Sequence, residues 1–346
     1  MDGIQKNTYV PGFDWVKLFG SLLVAFSHLC LGGITERLLS PKMIALLGEL
    51  IPVFFVIAGY LMYQSVTKKP KPYRYMLVYI MKYGSAFLLL SLVSIISAYV
   101  KAYLSVGQFA YKSFLVELVF LPFLRVYTKQ LWFIPPLLLG IAVNVPAWLN
   151  GKERLLLWCL APLALLVMAL SICGHYLLSI PLIAGITQWE AFPCGAEFCM
   201  TATRGLSYVY LGILFAKHRC RVQKIRLLPV LLIASAITGL ELLLLRVISS
   251  AEHSNYGMML TVVIWSGILF LMILRIRGAG LSRFHSAITL FSGLTYFLHY
   301  FEEALLRPWL ESPILIFVLA CLLNAILTWG ILCLGRIRKK SVRIAE

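Results

Sequence analysis

The sequence predicts an all-α, polytopic membrane protein with about ten transmembrane helices and both termini in the cytoplasm. Three observations lead there. Hydrophobic residues make up 61% of the 346 and charged residues only 13%, where soluble domains carry about 25% charged residues. The apolar residues fall into runs of about 20, the length a helix needs to cross ~30 Å of hydrocarbon. The Lys and Arg side chains, which give a net charge of +17, cluster in the short polar segments between those runs. That placement is the signature of membrane topology and not of nucleic-acid binding.

The runs, in order, centre on residues 13–33, 44–65, 76–100, 131–149, 154–174, 200–216, 226–249, 257–274, 286–306 and 313–335. A further run, FLVELVFLPFL at 114–124, is too short to cross and is expected to lie at the interface or to dip back into the bilayer. The N-terminal stretch lacks a compact basic region and a small-residue cleavage site, so the first run reads as a retained helix rather than a signal peptide. With the N-terminus inside, cytoplasmic segments hold 21 Lys and Arg against 8 outside. Lys17 and Arg204 fall within predicted helices. No repeat, low-complexity tract or soluble module interrupts the chain, so residues 1–346 read as one membrane domain.

Eight cysteines show no metal-ligand spacing, and no metal site is expected. Cys194 and Cys199 sit close together in what reads as an outer polar loop, where an oxidising compartment permits a disulfide and unpaired thiols are the default.

Ionisable groups inside a bilayer cost about 2.5–3.5 kcal/mol each on insertion scales, which makes them functional candidates. The first helix carries Asp14, Lys17 and His28. Lys17 and His28 are eleven residues apart, so they share one helix face and are separated by about 16 Å along the axis. Asp14 lies one turn from Lys17 and is placed to pair with it. Four further residues sit at helix positions of similar predicted depth to His28 or at the mouth of the same bundle: Glu49 ahead of IPVFFVIAGY, Arg204 in TATRGLSYVYLGI, His299 in LTYFLHYFEE, and Trp132 in QLWFIPP. Trp132 reads first as an interface anchor, and Glu302 and Glu303 read as solvated. His175, His218, His253 and His285 fall at helix ends or in loops and carry less weight.

At these residues the sequence resembles the acyltransferase-3 family of bacterial integral membrane acyltransferases. Lys17 and His28 reproduce the family's opening pattern of a basic residue, ten residues and a histidine, with lysine at the usual arginine. GELIPVFFVIAGYLM at 48–62 resembles the family's FF-x-x-SGY stretch, with Ala58 at the usual serine. KYGSAFLL from Lys82, QLWFIPPLLLG at 130–140, TRGLSYVYLG at 203–212 and SGLTYFLHY at 292–300 follow in the family's order. Gly205 stands where asparagine usually follows Arg204.

The resemblance implies transfer of an acyl group, often acetyl, from cytoplasmic acyl-CoA to an extracytoplasmic sugar or other cell-envelope glycan, in a bacterial cytoplasmic membrane. It implies a catalytic group of His28, Arg204, Glu49 and His299. Lys17 and Lys82 would meet the phosphates of the CoA donor. A transporter or flippase, and a non-catalytic envelope partner, remain alternatives. A transporter usually shows two related halves, and none is found. A mere partner would leave His28 dispensable.

Overall fold

The computed structural model describes the backbone of residues 9–38, 52–107, 111, 114–115, 131, 133–163, 192–248, 260–276 and 282–345. Those residues are helical throughout apart from turns and short connections, and contain no strand. The helices are α1 (Pro11–Leu38), α2 (Pro52–Val66), α3 (Pro72–Val106), α4 (Ile134–Leu149), α5 (Phe192–Lys217), α6 (Leu227–Ile248), α7 (Leu260–Arg275), α8 (His285–Leu306) and α9 (Pro313–Ala345). Residues 153–163 are also helical, and a single turn at Arg219–Val222 follows α5.

Among the described residues, three stretches are long and apolar enough to cross a membrane: Pro11–Cys30 in α1, Pro72–Ser97 in α3 and Pro313–Gly335 in α9. Shorter apolar helices occupy Pro52–Val66, Ile134–Leu149, Leu227–Glu241 and Thr261–Arg275. The all-helical expectation holds. Each of the ten apolar runs contains helix, while residues 44–51, 116–124 and 164–174 lie outside the described residues.

Local chemistry sets the helix ends. Pro72 opens α3, and Gly107 closes it in the left-handed region at φ 73°, with its N–H bonded to Tyr103 O. Ser312 Oγ accepts the Leu315 N–H at 3.4 Å, just ahead of Pro313 at the start of α9. A capping serine followed by proline is an efficient helix start.

The chain packs as two compact units, one formed by Met1–Ile44 with Leu271–Glu346 and the other by Ala45–Phe270. In the first, α1, α8 and α9 pack against one another. Contacts of Asp14 with His285, Lys17 with Thr289 and His28 with His299 show that α1 and α8 run parallel in a single register. Helix α9 returns antiparallel to them, its Pro313 O accepting from Cys30 Sγ at 3.5 Å. Ala25, Leu29, Cys30, Ile316 and Ala320 make an apolar core, covered by Phe26, Leu306, Leu310 and Phe317.

In the second unit, α5 packs closely on α2 and α4. Side-chain-free surfaces permit this. A Cβ at Gly59 would collide with the Val209 carbonyl, one at Gly212 with the Val56 carbonyl, and one at Gly205 with the Pro136 carbonyl. Small residues bring membrane helices together where no hydrophobic force between helices is available. Asn144 adds a polar tie, its Nδ2 donating to Gly140 O at 2.7 Å and to Leu206 O at 3.0 Å.

One expectation is overturned. Cys194 and Cys199 do not sit in a loop, because α5 begins at Phe192 and carries both. Five residues apart on one helix, their Cα atoms stand about 8.7 Å apart, beyond the ~7 Å that a disulfide spans. The loop reading came from the polar residues around Cys194 and Cys199, Glu190 and Glu197 among them, and the helix runs through Glu197 and both cysteines instead.

Candidate active site

The first unit concentrates its polar groups along the seam between α1 and α8. Asp14 is almost fully buried, at 1% exposure, and anchors one end of that seam. Tyr9 Oη donates to Asp14 Oδ2 at 2.6 Å. His285 Nδ1 donates to the same carboxylate, 2.8 and 2.9 Å from its two oxygens. Lys17 Nζ lies 3.6 Å from Asp14 Oδ1 and donates to Thr289 Oγ1 at 3.1 Å. The Asp14–Lys17 pairing expected from one-turn spacing is present. His285 is a correction: it is half exposed, as a helix-end histidine should be, yet it is a direct partner of Asp14. Nothing in the spacing of the chain announces a partner 271 residues away.

Farther along the same helices, the rings of His28 and His299 stack, with centroids 5.4 Å apart and planes 21° from parallel. His28 is half-buried, while His299 is only 1% exposed. His299 Nδ1 donates to Thr295 O at 3.0 Å. Among the described residues, its buried Nε2 meets no hydrogen-bond partner. Because a carbonyl can only accept, Nδ1 carries the proton and Nε2 presents a bare lone pair. The Tyr296 ring stands 6.4 Å from His299.

The buried residues of α8 are Ile288, Ser292, Thr295, His299 and Glu302. Their three- and four-residue spacing is one helix face, and four of the five are polar. Glu302 is a second correction. It is 7% exposed rather than solvated, and Asn324 Nδ2 of α9 donates to its Oε2 at 3.0 Å. The stripe was present in the sequence, since Glu302 follows His299 by three residues, but the partner on α9 was not. Glu303 is also less solvated than expected, with its side chain 19% exposed, and it pairs with Arg307 of the next turn.

The other candidates lie elsewhere. Arg204 is half-buried on α5, in the second unit, and Lys82 is exposed on α3, 5.3 Å from the Tyr83 ring centroid. Glu49 and Trp132 lie outside the described residues, as do His175 and His253. His218 is exposed just past the end of α5, as its position led us to expect. The structure therefore brings together His28 with His299 and Lys17 with Asp14.

A family model described as an acyltransferase domain, that of acyltransferase-3, matches residues 10–333, nearly the whole chain. The chain belongs to the acyltransferase-3 family. No curated protein and no solved structure matches it significantly. Family membership and the apolar helices together make the protein a membrane acyltransferase. Lys17, His28, Arg204 and His299 of the acyltransferase all fall within the matched range. The enzyme's Gly205 departs from the family's usual asparagine, and the packing supplies a reason. No side chain fits against the Pro136 carbonyl at that point of the α4–α5 contact.

Proposed function

We propose that this enzyme transfers an acyl group, acetyl in the first instance, from cytoplasmic acyl-CoA to a hydroxyl of an extracytoplasmic sugar or cell-envelope glycan. In this reading the chain is one catalytic membrane domain of about ten spans in a bacterial cytoplasmic membrane, with both termini inside. The 21-to-8 partition of basic residues supports the orientation. The observation that carries the function is the stacked His28–His299 pair, in the unit that also holds Lys17 on the same face of α1.

The chemistry follows from that arrangement. Lys17 lies at the cytoplasmic mouth and meets the donor's phosphates as a point charge. About 16 Å separates Lys17 from His28 along α1, a span for the extended pantetheine arm that carries the thioester. Neutral His28 takes the proton of the acceptor hydroxyl. The oxygen attacks the thioester carbon, and an oxyanion develops there. The carbon–sulfur bond then breaks, and His28 returns the proton to the departing thiolate, which leaves as CoA.

The test is to incubate membranes containing the enzyme with acetyl-CoA and isolated envelope glycan and to measure free thiol. Acceptor-dependent CoA release is expected. If acetyl-CoA is not consumed in the presence of any glycan fraction, acyl transfer from CoA is refuted.

A further inference from the structure

Asp14 is enclosed, at 1% exposure, and Tyr9, His285 and Lys17 surround its carboxylate. They do not share it equally. Tyr9 Oη donates to Oδ2 at 2.6 Å, and the His285 Nδ1–H lies across the carboxylate, 2.8 and 2.9 Å from its two oxygens. Lys17 Nζ stands 3.6 Å from Oδ1. That is ion-pair distance, outside the roughly 2.7–3.2 Å of an N–H···O hydrogen bond. Its hydrogen bond goes to a neutral oxygen instead, Thr289 Oγ1 at 3.1 Å.

This division runs against the strength of the groups. Asp14 and Lys17 are one turn apart on one helix, within reach of each other. A hydrogen bond between charged partners is stronger than one to a hydroxyl. A shift of less than about 1 Å would bring Nζ into that range. The edge between the two carboxylate oxygens, where the ammonium would meet both, is taken by His285. Tyr9 backs this arrangement, its ring packed edge to face on His285 with centroids 5.8 Å apart. His285 opens α8, and Thr289 follows it by one turn. The same helix end thus occupies Asp14 and supplies the oxygen that holds Lys17. Neither His285 nor Thr289 has a task in the acyl-transfer chemistry itself.

We propose that His285 is a positioning residue for Lys17: by closing the open edge of Asp14, it holds the Lys17 ammonium off the carboxylate and at Thr289, where its N–H groups can meet a phosphate of the acyl-CoA donor. The inference rests on the reading of Lys17 as the donor's phosphate contact. An ammonium has three N–H groups, and Thr289 takes one of them. Drawn onto Asp14 instead, Lys17 would sit in a hydrogen-bonded ion pair with a buried carboxylate. An incoming phosphate would then have to break that bond before making its own. The step concerns binding alone, and no proton is transferred.

The experiment measures acetyl-CoA kinetics in membranes, with isolated envelope glycan as acceptor. It compares the wild-type enzyme, His285→Ala, His285→Asn, Lys17→Ala and the Lys17→Ala/His285→Ala double variant. His285→Ala opens the carboxylate edge to Lys17, so the KM for acetyl-CoA should rise about 10-fold with kcat unchanged. His285→Asn returns an amide N–H near the position of Nδ1 and should recover most of that loss. The double variant should match Lys17→Ala in KM, since His285 acts only through Lys17. A residue that merely joined the two helices would lower kcat too, and its loss would add to that of Lys17.

Folding is scored separately, as elution of a single species in detergent. His285→Phe, which keeps a ring without an N–H, replaces the Ala variant if the latter fails that criterion. With Lys17→Ala impaired, a wild-type KM in the folded Ala or Phe variant would overturn the proposal. So would an Asn variant no better than Ala, or a double variant worse than Lys17→Ala. A wild-type KM in Lys17→Ala would instead remove the phosphate contact on which the proposal depends.

Discussion

Asp14 takes hydrogen bonds from Tyr9 and His285 and lies beside Lys17, while itself almost fully buried. A charge so enclosed is maintained by its partners, and removing it leaves buried donors without an acceptor. Asp14→Ala is therefore expected to cost about 2–3 kcal/mol, seen as a lower thermal unfolding midpoint in detergent. Lys17→Ala should mainly raise the KM for acyl-CoA, whereas Lys17→Arg should retain activity because the charge at the mouth persists. A Lys17→Arg enzyme as impaired as Lys17→Ala would show that charge is not what Lys17 contributes. At this scale the sequence was informative within one helix. Eleven-residue spacing put Lys17 and His28 on one face, and three-residue spacing paired Asp14 with Lys17. It was silent about His285 and Asn324, because their partners arrive from other helices and no local spacing encodes that.

Helix contacts obey the same division between what is local and what is not. The apolar runs announced the helices, since a bilayer-length stretch of apolar residues has few other structures open to it. The start of α5 at Phe192 was missed, because a segment with Pro193, Gly195 and acidic residues but no Lys or Arg reads as a loop. Gly205 was legible only as a departure from a family pattern. Its reason, the Pro136 carbonyl packed against it, belongs to the α4–α5 contact. Gly205→Ala is expected to destabilise the enzyme by about 1–3 kcal/mol through overpacking. At Gly239, on α6, an added Cβ would meet nothing within 4 Å. Gly239→Ala should thus be neutral, or stabilising by up to about 1 kcal/mol from helix propensity. Thermal unfolding of the two variants side by side checks the contrast, and equal effects would contradict the packing argument.

Across the whole molecule, large apolar side chains such as Leu77, Met81, Leu89 and Ile96 on α3 and Leu322, Ile326 and Trp329 on α9 are exposed. Buried positions include Asp14, Asn144, His299, Glu302 and Asn324. That inversion of the soluble pattern suits lipid as the outer solvent. The proposed orientation makes its own prediction. A membrane-impermeant thiol reagent applied from outside should modify Cys194 or Cys199 in preference to Cys220, which is exposed just beyond the far end of α5. Preferential labelling of Cys220 would reverse the topology.

The role of His28 as carrier of the proton in acyl transfer from CoA to an outer glycan is tested most directly by one comparison. Membranes bearing wild-type enzyme or His28→Ala, inserted at equal levels, are incubated with acyl-labelled acetyl-CoA, and label on extracytoplasmic glycan is counted. The wild type should transfer label and release CoA, and His28→Ala should fall by at least about 100-fold. Wild-type labelling in His28→Ala would contradict the role assigned to the histidine.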